Sequence, residues 1–181
     1  VQVWGSRCRA FDAGARHAAM LSDWLGKPVR LVRFDPAHRR LSNPDWTAGR
    51  EVPTRFSDGY PLLVLSQASI DGLAARVGRP LPVERFRPNI LIGGVEAHAE
   101  DEASRLRTGA ALFALTKACT RCVITTVDPA NGRKDGDGEP LATLKRYRFD
   151  ATLRGVIFGR NAYALEGEGT TLVRGAPLTL E

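Results

Sequence analysis

The apolar stretches of this chain are short, closely spaced and irregular in type, and that pattern limits the possible folds more than any other feature. Residues 29–34 alternate as a half-buried strand, 62–65 form a short buried run, and 86–92, 110–117, 122–127 and 158–165 read as further strands. Residues 170–173 and 176–180 read as closing strands. Three helices fit between them. One follows Asp12, carries Ala15, Ala18, Ala19, Trp24 and Leu25 on one face, and stops at Gly26 and Pro28. Another is launched by Ser66 and Ser69, aligns Ile70, Leu73, Ala74 and Val77, and ends at Gly78 and Pro80. A short third one opens at Glu139 and Pro140 and runs to Tyr147. Strands are adjacent near the end and there is no regular strand-helix-strand alternation, so the expectation is a mixed α+β, β-rich barrel or sandwich with peripheral helices.

With 181 residues the chain is long enough to bury a core as one domain, and it contains no apolar run of membrane-spanning length. It begins at Val1 without an initiator Met or a signal peptide, as a piece of a longer protein would. Its three cysteines, an odd number, argue against a disulfide framework and for a reducing, cytoplasmic setting. A net charge of +6 raises the question of an anionic partner. The basic residues are dispersed, from Arg30 and Arg33 through Arg39, Arg40, Arg55, Arg76, Arg79, Arg85 and Arg87, with no interleaved aromatics, so nucleic acid is not the expected partner.

The chemistry concentrates in A-C-T-R-C-V-I-T-T-V-D-P, residues 118–129. An arginine next to a thiol favours the thiolate, the form that attacks and ligates, which singles out Cys122 at the head of an expected strand. Two half-buried structural thiols are the plain alternative. A thioredoxin-like centre needs a helix after the first Cys, and a zinc ribbon needs a second Cys pair where only Cys8 remains. A cysteine hydrolase would take His17, His38 or His98 as base. Those histidines lack metal-ligand spacing and read as structural or solvated, and Glu100, Asp101 and Glu102 read as charges at a helix start. Pro88 places its segment at a sheet edge and holds Arg87 and Asn89 rigidly beside whatever binds there. Residues 35–56 form a long polar loop, a candidate lid, and residues 128–138 a turn-rich flexible one.

Three segments, F-R-P-N-I-L-I at 86–92, residues 118–129, and E-P-L-A-T-L-K-R-Y-R at 139–148, together resemble the MOSC domain family, in its amidoxime-reducing and hydroxylaminopurine-detoxifying branch. P-L-L-V-L-S-Q-A-S-I at 61–70 and the Glu100-Asp101 pair also fit. The resemblance implies a MOSC-type β-barrel with peripheral helices over residues 1–181, residues 1–11 being the tail of an N-terminal β-rich domain. In the family that domain contributes a Lys, a Ser and an Arg to the cofactor. The resemblance further implies a molybdenum cofactor (Mo-molybdopterin) enzyme that reduces small N-hydroxylated substrates, with Cys122 as the catalytic metal ligand. Arg87, Asn89, Thr120, Arg121 and the turn at Gly59 match cofactor-holding positions, and Asn161 stands where the family has a Tyr. Cys119 would be auxiliary. Electrons would come from a separate donor protein, a flavin or iron-sulfur reductase. A MOSC module that carries sulfur as a persulfide on Cys122, or that binds and delivers cofactor, is the alternative the same residues allow.

Overall fold

The computed structural model describes all residues from Val1 to Glu181 and divides them into two compact units, Val1–Pro61 and Leu62–Glu181. In the first, β1 (Gln2–Val3) and β2 (Ser6–Arg7) form a small hairpin, and β3 (Ala10–Asp12) pairs antiparallel with β4 (Val32–Phe34). The helix α1 (Ala15–Leu25) joins β3 to β4 and ends on left-handed Gly26, as the sequence predicts. Its N-cap is Gly14 rather than Asp12, whose carboxylate instead accepts the Gly14 amide at 2.7 Å. The stretch expected as a lid is tied within this unit. Leu41 bridges Pro53, Thr47 and Thr54 are buried, and the Arg40 guanidinium donates to the carbonyls of Arg55, Ser57 and Asp58.

The second unit is built on a curled, half-barrel sheet of seven strands. They are β5 (Leu62–Ser66), β6 (Ile90–Ile92), β7 (Arg105–Thr108), β8 (Ala111–Thr120), β9 (Phe149–Asp150), β10 (Gly155–Glu166) and β11 (Thr179–Leu180). Their order is β11-β7-β8-β10-β5-β6, with β9 also on β10, and all pairs are antiparallel except β5 with β6. That parallel pair needs a crossover, which α2 (Gln67–Val77) supplies, capped by Ser66 and stopped by left-handed Gly78. Side chains alternate across β5, so Val64 and Leu65, both fully buried, belong to opposite faces. Val64 joins Ile92, Leu106, Phe113, Leu115 and Ala162 inside the curl. Leu65 joins Ile70, Leu73, Phe86, Leu144 and Phe158 beneath α2 and α4 (Leu141–Tyr147). Fully burying each such large side chain contributes about 2 kcal/mol, which is why the sheet is hydrophobic on both sides here.

Three expectations change. One continuous strand, β8, runs through Cys119 and Thr120, and residues 123–126 form a 3-10 turn instead of a strand. Only Ile90–Ile92 of the 86–92 segment is extended into the sheet, because Arg87 adopts a left-handed backbone (φ 55) ahead of Pro88. Of the two closing strands only Thr179–Leu180 pairs.

Candidate functional site

Cys122 lies where β8 leaves the sheet, exposed, as the N-cap of the 3-10 turn Val123–Thr126. β-branched residues favour strands, yet this turn has its own stabilisers: Thr125 Oγ1 donates to Cys122 O at 3.0 Å and Thr126 Oγ1 to Val123 O at 2.7 Å. The Thr125 amide also donates to Cys122 O, at 3.2 Å. Thr125 and Thr126 are buried while Val123 and Ile124 are about half exposed, the reverse of what an amphipathic strand needs.

The residue before the thiol is fixed equally firmly. The Arg121 amide donates to Val156 O on β10 at 2.7 Å, and its guanidinium spans two acceptors, Phe86 O at 2.7 Å and Cys119 Sγ at 3.2 Å. Its buried Nε has no partner, and the group lies 5.9 Å from the Phe86 ring centre. Arg121 therefore joins the Cys122 segment to the segment that carries Arg87. Arg87 itself is exposed, and no carboxylate pairs with it. A non-glycine residue held left-handed next to a proline is strained, and such strain concentrates where a side chain must be aimed.

Asn89 and Asn161 are brought together around Leu63. Asn89 Oδ1 accepts the Leu63 amide at 2.9 Å and its own amide donates to Leu63 O, extending the β6 edge by side-chain mimicry. Asn161 pairs with Leu63 in register and its Nδ2 donates to Lys117 O at 3.0 Å. Both amides are thus partly spent on the sheet, leaving the Asn89 NH2 group for a ligand. Thr120 is exposed at the end of β8, paired with Ile157. Gly59 lies in the other unit, in the turn after Asp58, whose carboxylate accepts Trp4 Nε1 at 3.1 Å.

A second polar cluster sits at the start of α2. Glu100, on the short helix α3 (Ala99–Glu102), is fully buried and accepts from the Ser66 amide at 3.2 Å and Ser69 Oγ at 3.3 Å. Glu100, Asp101 and Glu102 do fall in the first turn of α3, as expected of charges at a helix start, and Glu100 is in addition a buried internal acceptor. Ser69 Oγ also accepts from the His98 amide at 2.7 Å, and the His98 ring packs edge-on against Tyr147 and Phe158. Burial, and then the nearby Arg148, hold His98 below its ordinary pKa. Asp101 pairs with Arg148, which also donates to Ile157 O on β10. Burial pushes the Arg160 guanidinium down, with Asp101 and Glu100 opposing. His17 Nδ1 meets Ala13 O at 2.8 Å, and His38 packs on Phe34.

Sequence reasoning missed Arg85 and Asp135. Arg85 is buried on the 3-10 turn Val83–Arg85 and pairs with Asp135 at 2.9 Å. Nothing in the spacing of the dispersed arginines marks it, because its partner lies on a loop fifty residues away.

Comparison with known proteins points one way. The MOSC domain family model matches residues 51–178. Mitochondrial amidoxime-reducing component 1 of Mus musculus is 36% identical over 187 residues, covering 99% of this chain and 54% of that protein. The Homo sapiens protein of that name is 35% identical over 188 residues, covering 99% and 55%. Mitochondrial amidoxime reducing component 2 of Homo sapiens is 32% identical over 151 residues, covering 82% and 45%. The chain thus spans about half the length of the curated relatives it matches. Among solved structures, the crystal structure of YiiM from Geobacillus stearothermophilus aligns with a TM-score of 0.40 at 18% identity, over 67% of this chain and 54% of that one. No helix is long and apolar enough to cross a membrane.

Proposed function

Since this chain belongs to the MOSC domain family, we propose that it is a molybdenum-cofactor oxidoreductase domain that reduces N-hydroxylated compounds such as amidoximes and hydroxylaminopurines. The observation that carries this reading is an exposed thiol, Cys122, at the head of a turn bonded on both sides and joined through Arg121 to the segment bearing the unpaired, strained Arg87. The residues fit an anionic pterin with a phosphate. Arg87 offers an uncommitted guanidinium fork, Thr120 a hydroxyl and Asn89 two N–H donors for a heterocycle edge. Arg121 and Asn161 are committed to protein acceptors, so their role is to hold the site in shape. Gly59 is assigned to the cofactor on the family pattern.

When bound, the cofactor supplies the two-electron reduction that converts an N-hydroxyl group and two protons to N–H and water. The chain provides an exposed thiol at Cys122 and an electropositive surface at Arg87. A separate protein supplies the electrons. The exposure of Cys122 also suits a persulfide carrier, the second reading.

Benzamidoxime reduction distinguishes them. Protein made in a cofactor-competent host, with reduced methyl viologen as donor, forms benzamidine, and Cys122→Ser does not. A metal-replete wild-type protein that forms no benzamidine overturns the reductase reading, and persulfide on Cys122 would then support the carrier.

A further inference from the structure

We infer that the ion pair between buried Arg85 and half-buried Asp135 is a positioning latch for Cys122, fixing the thiol's turn against the segment that bears Arg87. This rests on the reading of Cys122 as the cofactor ligand. Arg85 is 7% exposed, and its only carboxylate is Asp135, on the loop after the Cys122 turn. The same Nη1 atom donates to Thr125 O at 3.3 Å, and Thr125 in turn bonds Cys122 O through both its amide and its hydroxyl. The neighbouring Phe86 O accepts Arg121 Nη2. Two consecutive residues, Arg85 and Phe86, thus grip the chain on either side of Cys122, one through Thr125 and the other through Arg121. The next residue is Arg87.

The loop side closes the circuit. The Asp135 amide donates to Thr126 O at 2.8 Å, Val127 bridges Lys134, and Arg79 adds a second cation to Asp135 at 3.1 Å while also reaching Asp137 at 3.3 Å. Residues 128–138 are turn-forming and polar, with little apolar burial to keep them docked. Arg85 Nε is buried without a partner, so the cation tolerates its position only while Asp135 is there. The loop's docking and the turn's geometry are therefore one event.

The test uses Asp135→Asn and the double variant Arg85→Met/Asp135→Asn, with two readouts. Amide exchange of the cofactor-free protein at Thr125 and Val127 should quicken about tenfold or more in Asp135→Asn, with the β8 amides of residues 112–115 unchanged. The double variant removes the stranded charge as well, so its melting temperature should return toward wild type while molybdenum retention stays several-fold reduced. Unchanged exchange at Thr125 and Val127, or a double variant that retains metal like wild type, overturns the latch. Should wild type itself retain no metal, the cofactor reading fails, and the exchange measurement still decides the latch.

Discussion

Gly159 offers a stringent test of the strand pairing that carries the site. It lies in β10 with φ +82, and a Cβ placed there would sit 2.8 Å from Val64 O, between Leu63 and Leu65 methyl groups at 3.3 Å. The obstacle is backbone of the adjacent buried strand, since Arg160 pairs with Val64, so it cannot swing aside. Gly159→Ala must adopt a left-handed backbone, at about 1–2 kcal/mol, and must part β5 from β10 at a further 1–3 kcal/mol or so. Lower unfolded-state entropy returns about 0.7 kcal/mol. The expected net loss is about 3 kcal/mol. Gly169 is the matched control: its φ is +84 but nothing lies within 4 Å, so Gly169→Ala should lose only about 1 kcal/mol. Urea unfolding should be followed by far-ultraviolet circular dichroism, because all three tryptophans, Trp4, Trp24 and Trp46, lie in the other unit. Equal losses in the two variants would refute the close approach of β10 to β5.

Arg148→Met should destabilise by about 3 kcal/mol in urea unfolding, since Asp101, whose Oδ1 already lacks a partner, is left largely buried and unpaired; a loss within the range of an exposed ion pair would contradict this. His98 is held below its ordinary 6.5, chiefly by burial, so the unfolded chain takes up this proton first and the contribution to stability, complete above 6.5, is lost as pH falls from there through the folded value. The stability difference between about pH 7.5 and 5.5 should accordingly shrink in His98→Asn, which tolerates the left-handed backbone at that position (φ 66), and an unchanged difference would count against the assignment. Cys119→Ser replaces a weak thiol acceptor of Arg121 by a hydroxyl that also accepts, with Phe86 O still in place, so melting temperature and metal content should stay near wild type; loss of metal would make Cys119 a ligand.

The helices were legible because their punctuation is local: Ser66 caps, Gly26 and Gly78 stop, and Leu141–Tyr147 follows Pro140. The buried double-faced strand β5 was legible as an apolar run. The turn after Cys122 was not, since V-I-T-T-V has strand propensity and only the fold shows that the two threonine hydroxyls bond back to the chain and that Val123 and Ile124 face out. Cys122, Arg121 and Arg87 were singled out one by one, but the bond joining Arg121 to Phe86 O is a tertiary contact that spacing does not encode. Glu100 and Arg85 illustrate the limit best. A charge reads as surface in a sequence, and its burial depends on partners, Ser66, Ser69 and Asp135, that lie 30 to 50 residues away.

The central claim is that Cys122 holds the metal. Molybdenum per chain, measured on protein from a cofactor-competent host, tests it most directly with Cys122→Ser and Cys119→Ser in parallel. Near-stoichiometric metal in wild type and Cys119→Ser, with almost none in a folded Cys122→Ser, is the expected result. A Cys122→Ser protein that keeps as much molybdenum as wild type would contradict it.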